Sequence, residues 1–169
     1  FPTDNYIAEG LIRFAGKGHE LRLVDGNDVL DAIDDGVALV SLTQVDYRSG
    51  LIQDMTAVTA AAHEAGALML WDLSHSAGAM AVDLNGAEVD FAVGCSYKYL
   101  NGGPGAPAYL FVSRHLQDQV RQPLSGWLGH AAPFEFEQSY RPAPGILRQQ
   151  CGPPPILALS ALDAALDVF

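Results

Sequence analysis

The sequence predicts an α/β fold with a mostly parallel sheet flanked by helices, and three observations carry that expectation. Apolar runs recur at Val37–Leu42, Ala67–Trp71 and Val89–Ser96, as expected of strands buried on both faces. The first two are separated by an alanine-rich helical stretch, Met55–Ala65, the spacing of a βαβ unit with a right-handed crossover. Polar residues stand where the runs stop: Thr43, Asp72, and the pair Tyr97 and Lys98. In open sheets of this kind ligands bind beyond the carboxyl ends of the strands, so these residues share one candidate edge.

Each element has a local reason. Thr3 or Asp4 is a candidate cap for a helix reaching about Phe14, with Tyr6, Ile7, Leu11 and Phe14 at helical spacing and Gly16 and Gly18 ending it. His19–Val24 alternates like a short strand, and Asn27 or Asp28 can cap a short helix through Ile33. Thr43–Gln53 is a polar loop containing Tyr47, Arg48 and Gly50. Asp54 caps the alanine-rich helix and Gly66 ends it. Pro107–Ser113 follows Val89–Ser96 after only a glycine-rich turn, which suits an antiparallel pair. Arg114–Gln122 reads as a short helix, the proline-rich Pro123–Pro155 as irregular, and Ile156–Phe169 as an amphipathic helix.

Composition narrows the function class. The chain has 169 residues, 49% hydrophobic and 17% charged, enough to bury a core in one domain. A net charge of -11 argues against nucleic acid and anionic membrane as partners, because both are polyanions. No stretch approaches the roughly 20 apolar residues of a membrane span, and no secretory leader opens the chain. A cytoplasmic protein is expected. Cys95 and Cys151 lack the C-x-x-C spacing of a zinc or redox site and are expected to be reduced and buried. The first residue is Phe, and the last residues read as helix with no stop signal. The expectation is therefore a central piece of a larger protein.

The chemistry centres on Leu70–Gly105. A carboxylate at one strand end and a lysine at the next suit pyridoxal phosphate (PLP), which needs a lysine for its aldehyde and an acid for its ring nitrogen. Asp72 is the acid and Lys98 the lysine; at such positions an Asp also caps turns and a Lys also reaches along a surface. Tyr97 is placed to bind a phosphate or pass a proton, and His75 to stack on or hydrogen-bond a cofactor. Asn101–Gly105 matches no phosphate-loop pattern, and its glycines read as room for close backbone approach near the lysine. Asp72 and His75 alone make too small a ligand set for a metal, and none is expected.

These residues also resemble a known family. WDLSHSAG, GCSYKYLNGGPG, PLSGWLGH, APGILRQQCGPPPIL and the opening FPTDNY, in this order, are similar to kynureninase. The resemblance implies the large domain of a fold type I PLP enzyme, incomplete here, with the N-terminal segment and the C-terminal small domain absent from residues 1–169. It implies hydrolysis of L-kynurenine, or of 3-hydroxykynurenine, to the corresponding anthranilate and L-alanine in tryptophan catabolism. By resemblance Lys98 is the Schiff-base lysine and Asp72 the partner of the pyridine nitrogen. His75 lies beside the cofactor, and Tyr97 binds phosphate and aids proton transfer. Phe1 stacks on the ring, Thr3 and Asp4 contact the cofactor, and Thr43 supplies a small hydroxyl. Trp127 reaches a phosphate of the other subunit in a homodimer with shared sites. Pro153 departs from the family, which carries Asn or Thr there, and removes one side-chain donor. Other readings are a cysteine desulfurase-like or aminotransferase-like enzyme of the same fold, and a non-catalytic remnant. The SGWLGH segment and the lack of a cysteine loop after Lys98 argue against the desulfurase.

Overall fold

A computed structural model describes all residues, 1–169. Its centre is a four-stranded sheet in the order β1-β2-β3-β4, with β1 Leu39–Thr43, β2 Leu68–Asp72, β3 Phe91–Cys95 and β4 Ala108–Val112. The first three strands are parallel, and β4 returns antiparallel to β3, as the short glycine-rich connection predicts.

One helix supplies the core. The helices are α1 Pro2–Ala15, α2 Val29–Ala32, α3 Met55–Glu64, α4 Arg114–Gln117 and α5 Ile156–Leu166. Asp54 caps α3 by accepting a hydrogen bond from the Ala57 N–H at 2.9 Å, which satisfies one of the open donors of the first turn. Met55, Val58 and Ala62 then join Met69, Trp71 and Ala92 of the sheet, with Val89 just before β3, in one buried cluster. Burying each of the Val and Met side chains contributes roughly 1.5–3 kcal/mol. The Trp71 indole N–H finds Thr59 Oγ1 at 3.1 Å, so the largest core side chain leaves no polar group unpaired. At the far end of the sheet buried Asp90 accepts from Met69 N–H and sits 2.8 Å from His63 Nε2, which ties α3 to β2 and β3.

Only one sheet face is covered in this way. The apolar runs are expected to be buried on both faces, but burial alternates along each strand, and Leu39, Leu68 and Leu110 on the second face stay 40–50% exposed. Among residues 1–169 no helix packs over that face as α3 does over the first.

Other expectations are corrected. Helix α1 starts at Pro2 with Phe1 at the cap position, so Thr3 and Asp4 lie inside its first turn; a proline's fixed φ and missing N–H suit that place. His19–Val24 forms no strand, because no neighbour offers it a ladder; Arg22 instead bonds Asp34 and the Ala32 carbonyl. Helix α4 ends at Gln117 rather than Gln122. The region 123–155 carries three short 3-10 helices, Trp127–Gly129, Pro133–Glu135 and Gly145–Gln149. Both cysteines are free, but Cys95 is half-buried and Cys151 exposed, its thiol turned to the Leu124 carbonyl at 3.0 Å. That contact belongs to a tight junction. A Cβ on Gly126 would overlap the Cys151 carbonyl, and one on Gly129 would crowd the Gln150 carbonyl, so the glycines of SGWLGH let this segment pack on residues 148–151.

Candidate active site

The site is built where the parallel strands end. Thr43 and Asp72 are the last residues of β1 and β2 and stand opposite each other in register. β3 ends at Cys95, and Ser96–Gly102 turns sharply, with Asn101 N–H on the Lys98 carbonyl and Gly102 N–H on the Ser96 carbonyl. A Cβ on Gly102 would lie 2.8 Å from that of Ala106 and 3.0 Å from the Ser96 carbonyl, so the loop closes only around glycine. The loop after β2 meets this turn at Gly78, where a Cβ would come within 2.5 Å of the Tyr99 carbonyl. Those two close approaches bring His75 to Lys98.

Lys98 Nζ lies 2.9 Å from His75 Nε2. Where Lys98 donates in this contact, Nε2 must accept, which requires the neutral Nδ1–H tautomer of the imidazole. Partial burial, reinforced by the Lys98 charge, holds His75 below the usual histidine range, which keeps it neutral near pH 7. Asp72 is half-buried; its Oδ1 accepts from Ser74 N–H at 2.9 Å, which fixes the carboxylate and leaves Oδ2 open. Thr43 Oγ1 bonds the Val45 carbonyl at 3.1 Å and sits 3.5 Å from the Asp72 carbonyl. Tyr97 is half-exposed, with Lys98 Nζ 5.6 Å from its ring centroid.

The remaining candidates separate into two groups. Phe1 joins the site through Tyr47: the two rings meet edge-on at 5.2 Å, and Tyr47 in turn stacks on His75 at 6.1 Å. Thr3 and Asp4 are exposed on α1. Trp127 packs instead on Phe134 and Phe136, at 5.7 and 6.2 Å, in the 123–136 segment. Tyr47 and Tyr109 are not among the residues singled out from sequence. Tyr47 had a signal, an aromatic beside arginine in a turn at a strand end; Tyr109 had none, being one apolar position in a strand.

Tyr109 lies across Gly94, whose missing Cβ makes room for it, and its hydroxyl is buried without a hydrogen-bond partner. Burial, then the nearby Cys95 and Asp72, push its pKa up to about 12. An unfolded tyrosine loses its proton near pH 10, so between about pH 10 and 12 the unfolded state holds fewer protons and stability falls as pH rises. Tyr109→Phe is expected to flatten that fall and to add about 1 kcal/mol at neutral pH by removing the orphan hydroxyl. Urea midpoints at neutral and alkaline pH for both proteins check this; equal slopes would exclude it.

The aminotransferase class-V pattern matches residues 12–169, nearly the whole chain. The chain belongs to the aminotransferase class-V family. Within it, the chain is 55% identical over 170 residues to a kynureninase of Burkholderia mallei (strain SAVP1) and 56% identical over 169 residues to one of Deinococcus radiodurans. Each match covers 100% of this chain and 41% of the relative, so the chain spans about two fifths of the length of these curated relatives. The resemblance seen in SYKYLNGGPG and SGWLGH thus extends along the full sequence. Among solved structures, a cysteine desulfurase of Thermococcus onnurineus NA1 superposes with a TM-score of 0.73 at 24% identity, over 92% of this chain and 40% of that one. A C-DES mutant with glycine covalently linked to its PLP cofactor gives 0.72 at 18% identity, over 88% and 39%. At these identities the likeness concerns the fold alone: the aminotransferase class-V chain carries part of a fold type I large domain.

Proposed function

We propose that residues 1–169 are the central, lysine-bearing part of the large domain of a PLP-dependent hydrolase that converts L-kynurenine or 3-hydroxykynurenine to the corresponding anthranilate and L-alanine. The observation that carries this reading is the Lys98–His75 contact at the strand-end edge shared with Asp72 and Thr43. Identity of 55% over the whole chain to kynureninases supports the choice of substrate.

The residues fit the cofactor. A lysine amine beside a neutral acceptor, a carboxylate with one oxygen free, and backbone loops that close only around glycine make a pocket edge for an aldehyde and a ring nitrogen. When bound, PLP supplies an electron sink through its protonated pyridine ring. Lys98 would hold it at the aldehyde, and Asp72 would face the ring nitrogen and keep its proton in place. Once displaced by the substrate amine, Lys98 would take the proton from the substrate α carbon, with His75 holding the amine in reach. Tyr97, half-exposed beside Lys98, would bind phosphate and pass a proton to the departing alanine moiety. Phe1, Thr3, Asp4 and Thr43 would line the same pocket. Trp127 would reach the phosphate of the partner in a homodimer. A cytoplasmic enzyme of tryptophan catabolism is the setting this reading implies; no helix is long and apolar enough to cross a membrane.

The test is turnover. The complete protein, loaded with PLP and given L-kynurenine, is expected to release fluorescent anthranilate and alanine in equal amounts. Cysteine desulfuration or amino-group transfer in its place would overturn the reading.

A further inference from the structure

We propose that Tyr47 is a positioning residue for Lys98: it stacks on His75 and keeps Nε2 turned toward the lysine amine. The inference rests on the lysine chemistry proposed above and adds to it the element that holds the acceptor.

Tyr47 is carried by a turn that is rigid by construction. Val45 and Ile52 form an antiparallel bridge that closes the loop between them. Inside it Asp46 Oδ1 accepts from Arg48 N–H, Ser49 N–H and Ser49 Oγ at 2.7–3.0 Å, and Gly50 N–H returns to the Asp46 carbonyl at 2.8 Å. Gly50 sits at φ 73, where a side chain would be strained. The ring itself is clamped, because Arg48 Nε–H donates to the Tyr47 hydroxyl at 2.8 Å and its guanidinium lies 5.3 Å from the ring centroid. The face so fixed is presented to His75, with centroids 6.1 Å apart and planes 24° apart.

The consequence lies in the protonation of His75. A protonated imidazole has no lone pair for Lys98 and would repel its ammonium, so the contact needs the neutral ring. Tyr47 covers one ring face and removes water that would stabilise the charged form. The other charged groups acting on His75 are Lys98 beyond β3, Asp72 at the end of β2, the α-amino group of Phe1, and Asp46 on the turn, where Arg48 is turned to the Tyr47 hydroxyl. Lys98 and the amino group oppose protonation while the two carboxylates favour it; burial is the largest influence, and the Tyr47 ring stacked on the imidazole is part of what surrounds it.

The experiment reads His75 directly, with no cofactor present. In the full chain with 15N-labelled histidine, long-range proton–nitrogen spectra give the tautomer and the titration midpoint. The wild type is expected to show Nδ1–H and a midpoint below the ordinary histidine value. Tyr47→Leu is expected to move the midpoint upward and mix the tautomers, while Tyr47→Phe, which keeps the ring but loses the Arg48 hydrogen bond, is expected to shift in the same direction by clearly less. Arg48→Met, which leaves the ring but frees it, is expected to shift the midpoint in the same direction as Leu by less, and serves if the Leu variant disturbs the turn. A Leu variant with unchanged midpoint and tautomer overturns the proposal, as does a Phe variant that shifts as far as Leu. Failure of PLP to attach to Lys98 would sink the functional reading and leave this signal untouched, so the two fail separately.

Discussion

Lys98→Ala is expected to abolish covalent retention of PLP and to remove turnover altogether. The prediction is unusually clean because the chain has two lysines, Lys17 and Lys98. Lys17 lies exposed just past the end of α1, whereas Lys98 is half-buried against His75. PLP with borohydride reduction, followed by peptide mass analysis, is expected to label Lys98 and leave Lys17 bare. Lys17→Ala should then keep the label and Lys98→Ala should lose it. In the complete protein the loss is expected to be compound, because on the proposed reading the group that holds the cofactor and the base for the α proton go together. The second role alone is worth about 10²–10⁴ in rate. Labelling of Lys17 in preference to Lys98, or turnover that survives Lys98→Ala, would remove this lysine from the mechanism.

The parallel βαβ unit of β1 and β2 and the antiparallel return of β4 were legible because apolar runs, caps and glycine stops act locally. The Asp54 cap and Gly66 fix α3 between β1 and β2 from a few residues of context. What failed were judgements that depend on neighbours. His19–Val24 alternates like a strand, yet alternation makes a strand only where another strand offers its donors and acceptors. The runs around Leu39 and Leu68 read as buried on both faces, but burial depends on what is packed over a face, and within these residues only α3 is.

The residues of the candidate site could be picked out in sequence, but their geometry could not. Asp72 and Lys98 declare themselves as charged residues at the ends of apolar runs, where an unpaired charge is costly. The meeting of Lys98 with His75 depends on close backbone approaches at Gly78 and Gly102; the second was readable as room near the lysine, but what each glycine approaches was not. Tyr47 reads in sequence only as part of a polar loop, for a related reason. Its turn chemistry is visible in Asp46, Ser49 and Gly50, but the ring it aims at lies on another strand end.

Asp72→Asn is expected to lower turnover of the complete protein by about 10²–10³, close to 3–4 kcal/mol of lost charge stabilisation. It should do so with little change in stability. Two roles compete at this position, a turn cap and a partner for a positive ring nitrogen, and the substitution separates them. The amide keeps an oxygen for Ser74 N–H, so the 2.9 Å cap can persist while the charge goes. The neighbours respond in a defined direction. Asp72 favours the protonated form of His75, so the Asn variant should hold His75 neutral to lower pH and leave the Lys98 contact intact. It also raises the Tyr109 pKa, so that hydroxyl should ionise somewhat more readily. A fall in rate with the thermal midpoint and the His75 tautomer preserved therefore isolates the charge. Asp72→Ala, which removes cap and charge together, should lose both rate and stability. If the Asn variant instead turned over near the normal rate while Ala was merely less stable, Asp72 would be a cap, and the electron-sink role would have to pass to another group.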